Sequence, residues 1–208
     1  MDEKSKEQPE RETCVISDLY ELIEQGKKFG TIYADPPWKY SNQGTRAATD
    51  NHYETLTPDE IAAFPIKDLI ADHAQLHLWT TNAFLFETQK ILEAWGFEYK
   101  DIFVWVKPQM GLGNYWRVSH ELMVLGVRGD VPFLDHTQRS WIKERRTTHS
   151  TKPESVRRIV EKVSPGPFLE LFGRRTTEGW VVWGNEIERT LFNAEAFNGA
   201  KRSITPGG

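Results

Sequence analysis

Thr31-Ile-Tyr-Ala-Asp-Pro-Pro-Trp38 decides how the rest of the chain is read. Its first four residues form an apolar run of the kind found in a buried strand, which places Asp35 at the strand's carboxyl end. Pro36 and Pro37 lock the backbone and carry no amide donor, leaving the carbonyls of Asp35 and Pro36 as acceptors. A carboxylate and a carbonyl side by side suit the two hydrogens of an aromatic amine, and Trp38 offers a flat face for a base. Stacking of that kind is worth about 1–3 kcal/mol. Tyr40 or Tyr53 is placed to cover the other side. The plain alternative is a proline turn that ends a strand and does nothing more.

Working outward, Asp18 to Lys28 carries Leu19, Leu22 and Ile23 at helical spacing before Gly30. Thr57-Pro-Asp-Glu60 is a capping box that opens a short helix toward Phe64. Leu76 to Thr80 is a strand candidate, and Asn82 to Trp95 reads as a helix through Phe86, Ile91, Leu92 and Trp95, stopped by Gly96. Phe97 to Lys107 and Glu121 to Val127 are two more strand runs. Arg128 to Ser150 lacks periodicity and reads as a long loop. Pro153 opens a helix with Val156, Ile159, Val160 and Val163 on one face, followed by strands at Phe168 to Phe172 and Trp180 to Trp183. Strands alternating with helices predict an α/β sandwich: a mostly parallel sheet, helices on both faces, and ligands at the strands' carboxyl ends.

At 208 residues the chain suits one domain. Residues 1–12 read as a loosely docked arm, 13–188 as the domain and 189–208 as an irregular tail. No apolar run approaches the roughly 20 residues that span a bilayer, and no signal-peptide core is present, so a cytoplasmic protein without membrane contact is expected. Cys14 is the only cysteine, which excludes an internal disulfide or a thiolate metal cluster. A net charge of -4 gives no global attraction to nucleic acid, so any such partner needs a local basic patch. One exists between Arg139 and Arg158, where seven basic residues (139, 143, 145, 146, 152, 157, 158) face Glu144 and Glu154, with Trp141 among them.

Further segments stand in order along the chain: His77-Leu-Trp-Thr-Thr81, Val104-Trp-Val-Lys107, His120-Glu-Leu-Met-Val-Leu-Gly-Val-Arg-Gly129, Ser150-Thr-Lys-Pro153, Glu170-Leu-Phe-Gly-Arg174 and Trp183-Gly-Asn-Glu186. With Tyr33-Ala-Asp-Pro-Pro-Trp38 they resemble the family of the eukaryotic messenger-RNA adenine methyltransferase catalytic subunit and its bacterial and phage DNA-modifying relatives, from about Cys14 to Ile187. The resemblance implies a single Rossmann-like class I methyltransferase sandwich with permuted motif order, the catalytic motif preceding the cofactor motif. It implies S-adenosylmethionine as cofactor and transfer to the exocyclic N6 of adenine by direct in-line displacement, which needs no metal. Asp35, Pro36, Pro37 and Trp38 would be catalytic, and Asp35 would also border the cofactor.

The resemblance further implies that Lys152 holds the cofactor's carboxylate, while Glu170, Phe172, Gly173, Arg174, Asn185 and Glu186 surround its ribose and nearby atoms. Val15 and Ile16 lie near its adenine ring. Glu121 faces the acceptor base or is simply a paired strand-edge carboxylate, and Tyr53 gates the site. Arg175-Thr176-Thr177 departs from the proline, histidine and asparagine of the messenger-RNA enzyme, and no GxGxxG loop follows the first strand. Trp116, Arg139, Lys143, Arg145 and Arg146 are the expected nucleic-acid contacts. The expected partner is DNA with a flipped or unpaired adenine, acted on by a monomer or homodimer. RNA, amino methylation of cytosine and a non-catalytic nucleic-acid-binding subunit remain alternatives.

Overall fold

The computed structural model describes residues 13–40, 55–111, 115–146 and 151–184. The arm, the C-terminal tail, most of the loop before Tyr53, and Tyr53, Asn185 and Glu186 themselves lie outside these residues. The strands are β1 (Cys14–Ile16), β2 (Phe29–Ala34), β3 (Ile70–Thr80), β4 (Glu98–Val106), β5 (His120–Arg128), β6 (Trp141–Lys143), β7 (Phe168–Leu171) and β8 (Trp180–Trp183). The helices are α1 (Leu19–Glu24), α2 (Pro58–Ala62), α3 (Thr88–Trp95) and α4 (Glu154–Val163). One eight-stranded sheet runs β1-β8-β7-β2-β3-β5-β4-β6 and is parallel except where β5 pairs with β3 and β4.

Alternation along each strand builds two cores. Ile32, Ala34, Leu76, Leu78, Leu169, Leu171, Val181 and Trp183 face α1, α2 and α3, meeting Leu22, Ile61, Ile91 and Trp95. Tyr33, Trp79, Phe168, Trp180 and Val182 point the other way, onto Val156 and Val160 of α4. Both faces are therefore covered, as a largely parallel sheet requires. Asp18 caps α1 by accepting from Tyr20 N at 2.9 Å, and Thr57 with Glu60 forms the capping box that opens α2. No helix among the described residues is long and apolar enough to cross a membrane.

Several elements differ from the sequence expectation, and β3, expected from Leu76, already begins at Ile70. Residues 82–87 form turns, closed by Phe84 N to Thr81 O at 3.0 Å and Glu87 N to Phe84 O at 3.0 Å, so α3 starts only at Thr88. The spacing there buries Phe84 and leaves Phe86 at 90% exposure. Within the segment read as a long loop, Trp141–Lys143 adds a parallel edge strand to β4. Cys14–Ile16, too short to show periodicity, forms the opposite edge against β8.

β2 and β7 lie side by side in the interior of the sheet. From β2 the chain moves to β3 on one side, and from β7 to β8 on the other, which makes their carboxyl ends a topological switch point and a ligand crevice. Register aligns the ends of four strands in one transverse row, Ile16–Trp183–Leu171–Ala34. At about 4.8 Å per strand that row spans about 14 Å.

Candidate active site

Asp35 follows Ala34 at the switch point, and a cleft of about 390 Å³ opens beside it. Tyr33, Asp35, Lys152, Glu154, Arg157, Glu170, Phe172 and Arg174 are among the residues that line the cleft. Its volume is within the range of small-molecule sites. The elements explain the gathering. Tyr33 and Glu170 occupy paired positions on β2 and β7, facing the α4 side, Lys152 and Pro153 lead into α4, and Phe172 to Arg174 leave β7.

The charges are closely paired. Lys152 Nζ donates to both Asp35 oxygens at 2.6 and 2.7 Å and lies 3.2 Å from Glu121 Oε2, while Lys107 holds the other Glu121 oxygen. Burial alone would raise the Glu121 carboxyl, but the two lysines outweigh it and hold the group below its usual range. Burial disfavours the Lys152 ammonium, yet Asp35 and Glu121 keep its pKa above the ordinary value. A second pair lies deeper. Arg157 grips Glu170 through two parallel bonds, Nη2 to Oε1 at 2.9 Å being one of them. Phe172 has φ of 62°, a left-handed conformation costly for a non-glycine residue and concentrated at functional sites. Gly173 and Gly184 bring two backbones into contact: a Cβ on Gly184 would lie 2.0 Å from Gly173 O.

The expected site residues separate into groups. Asp35, Glu121, Lys152, Glu170, Phe172 and Arg174 converge on the cleft and its charge pairs. Val15 and Ile16 sit at the far end of the transverse row on β1, with Asp18 committed to its helix cap. Trp38 is corrected from an open platform to a core residue. It is 8% exposed, stacks on Phe84 at 4.9 Å and donates Nε1 to Trp79 O at 3.2 Å. Pro36 O already accepts from Trp38 N at 3.0 Å, so one of its two lone pairs is used; Pro37 O accepts from Leu56 N. The basic run divides: Lys152 and Arg157 turn inward to carboxylates, while Arg139, Lys143, Arg145 and Arg146 remain exposed around edge strand β6. Arg139 lies over the Trp141 ring at 5.9 Å, and Trp116 is 86% exposed in the segment between β4 and β5.

Sequence reasoning missed Tyr33, Lys107 and Arg157 as site residues. Strand alternation put Tyr33 on the same face as Trp79 and Glu170, a usable signal. Arg157 was hidden in a charge run, although its position one residue after Val156 and three before Val160 sets it at the border of α4's buried stripe.

Fold and site together define a Rossmann-like α/β protein with a cleft lined by charged side chains at the carboxyl edge of its sheet. The MT-A70 family matches residues 29–186, and the chain belongs to this family of methyltransferases. It is 31% identical over 196 residues to the type II methyltransferase M.MunI of Mycoplasma sp, covering 83% of this chain and 84% of that protein. It is 28% identical to the Mus musculus N(6)-adenine-specific methyltransferase METTL4, over 83% of this chain and 40% of that one. With the Homo sapiens N(6)-adenosine-methyltransferase catalytic subunit METTL3 it shares 29% identity, over 77% of this chain and 28% of that one.

Proposed function

We propose that this chain transfers a methyl group from S-adenosylmethionine to the exocyclic N6 of adenine in DNA. The observation that carries the proposal is the Asp35 carboxylate, held at the switch point by Lys152 and facing a cleft that also contains the Glu170–Arg157 pair.

The donor set fits the cofactor. Its ammonium and sulfonium groups suit a cleft containing Asp35 and Glu170, and Lys152 is a cation suited to its carboxylate. One buried polar atom of a cleft-lining residue, Arg157 Nε, has no hydrogen-bond partner among the described residues. When bound, the cofactor supplies an electrophilic methyl group. The protein's part is to orient and to accept. Asp35 and the remaining lone pair on Pro36 O would take the two amine hydrogens, favouring a nitrogen lone pair directed at the methyl. The bonds from Trp38 N to Pro36 O and from Leu56 N to Pro37 O fix that turn. The target adenine would reach the turn flipped from a duplex or taken from a single strand.

Adenine N6 follows the naming of the METTL4 and METTL3 relatives. DNA is chosen because a relative aligned over most of both lengths is a type II methyltransferase. The deciding experiment incubates the protein with methyl-labelled S-adenosylmethionine and separate DNA and RNA pools, then digests the products for nucleoside mass spectrometry. N6-methyladenine in DNA is expected, with Asp35→Ala lowering the rate about 100-fold or more, the scale of removing one oxyanion-hole donor. Full activity in Asp35→Ala refutes the mechanism, and methylation confined to RNA refutes the choice of polymer.

A further inference from the structure

We infer that Arg157 is a positioning residue for cofactor binding: it grips both oxygens of Glu170 and keeps that carboxylate ionised toward the cleft. The inference rests on the S-adenosylmethionine reading above and adds a residue outside the motifs that support it.

Arg157 is 6% exposed and Glu170 is 7% exposed, unusually deep for a charged pair. The guanidinium lies between two aromatic rings, 5.3 Å from the centroid of Tyr33 and 5.2 Å from that of Trp180. Tyr33 is itself fixed, since its hydroxyl accepts from Trp79 Nε1 at 2.7 Å. Trp180 is pinned by its donation to Glu161 at 2.7 Å. A planar cation able to donate two parallel bonds meets these constraints, and an ammonium does not. Glu170 is thereby fixed in orientation while it still lines the cleft.

The pairing also governs charge. Burial raises the Glu170 carboxyl above its usual range, and the Arg157 guanidinium is the main force limiting that rise. Other groups acting on the pair are Asp35 after β2, Tyr33 on β2, Glu154 on α4 and Arg175 after β7. Asp35, Tyr33 and Arg175 are common to the variants compared below. Glu154, which lies 3.6 Å from Arg157 Nε, is common to the single and double Arg157→Met variants, so comparing those two isolates Glu170. Without Arg157 that rise would be larger, and Glu170 would hold a proton more readily. A cationic ligand would then lose an anionic partner.

The test measures S-adenosylmethionine affinity by calorimetry at about pH 5.5 and about pH 7, both below the range in which the ligand's own α-amine loses its proton. It compares wild type, Arg157→Met, Arg157→Lys and the double variant Arg157→Met/Glu170→Gln. Wild-type Kd should change less than about threefold between the two conditions. Arg157→Met should bind about tenfold or more weakly at the lower pH than at the higher, the factor that one pKa unit produces. Arg157→Lys keeps a positive charge and should recover most of the wild-type pH independence, and the double variant should be weak but independent of pH. An equal loss at both pH values in Arg157→Met assigns the residue to packing alone and overturns the inference.

Melts without ligand test the same carboxylate separately. In Arg157→Met, Glu170 is ionised in the unfolded chain but protonated when buried, so this variant should lose stability as pH rises from about 5 to 8. The double variant should not. A flat Arg157→Met melting profile overturns the inference. If wild type fails to bind S-adenosylmethionine at either pH, the cofactor reading is the one refuted, and the melts still decide what Arg157 does to Glu170.

Discussion

Replacing Lys152 with methionine keeps much of the apolar stem and removes the charge that joins Asp35 to Glu121. The ammonium lies 2.6, 2.7 and 3.2 Å from oxygens of these carboxylates, and the three side chains are 13%, 22% and 21% exposed. Breaking a fully buried pair costs about 3–5 kcal/mol. These groups retain some water, so about 2–3 kcal/mol is the expected loss near neutral pH. For a domain of this size that corresponds to a melting temperature lower by about 5–10 °C.

The pH dependence has a definite sign. Glu121 is depressed in the folded wild type, so its stabilising contribution is present above its unfolded value and is lost as pH falls through the folded one. Lys152 is raised, so its contribution is complete below its unfolded value and is lost as pH rises through the folded one. The wild-type advantage over Lys152→Met should therefore be widest between about pH 6 and 9 and close on the acid side as Glu121 takes up its proton. Thermal melts of the two proteins from about pH 3.5 to 8 measure this. A difference under about 2 °C at pH 7, or one that persists unchanged at the acid end, would show that the Lys152 pairing does not contribute as described.

Trp38→Ala should lower unfolding free energy by about 3–5 kcal/mol in urea titration, since the ring belongs to the core against Phe84; a drop below about 1 kcal/mol contradicts that placement. Gly184→Ala should cost about 1–3 kcal/mol by thermal unfolding, because its Cβ would meet Gly173 O; an unchanged midpoint would mean the two backbones separate freely. If the substrate is DNA, Lys143→Ala/Arg145→Ala/Arg146→Ala should weaken binding and reduce the log Kd against log salt slope by about 0.9 for each phosphate that is no longer neutralised. An unchanged slope places the DNA path elsewhere on the surface.

The sheet was largely legible in the sequence because β2, β7 and β8 are buried on both faces and read as mainly apolar runs, broken in β7 only by Glu170. The helix caps at Asp18 and Thr57 were legible for a different reason, since a cap depends on local chemistry. The false start of α3 shows the limit: a turn and a helix share the same spacing over six residues, and only the seating of Phe84 on Trp38 decides between them. Edge strands β1 and β6 have three residues each, too few for any period to register. Lys152, Glu121, Glu170 and Asp35 were found through ordered motifs. That Lys152 would bridge Asp35 and Glu121 depends on β2, β5 and the start of α4 meeting in space, which no local pattern encodes.

The pairing of β2 with β7 also sets a clock. Thr31 Oγ1 donates to Pro165 O at the foot of that pair, a bond that joins positions 134 residues apart. At synthesis rates of about 5–20 residues per second, that segment takes roughly 7 to 27 s to appear. Until then β2 has β3 as a partner but an unpaired edge on its other side, and Asp35 has no cleft. The growing chain thus carries the buried apolar sequence Phe29–Ala34 as an open strand edge, the kind of surface that templates aggregation. Chaperones that shield strand edges on nascent chains should therefore raise the yield of folded protein without any change to its sequence.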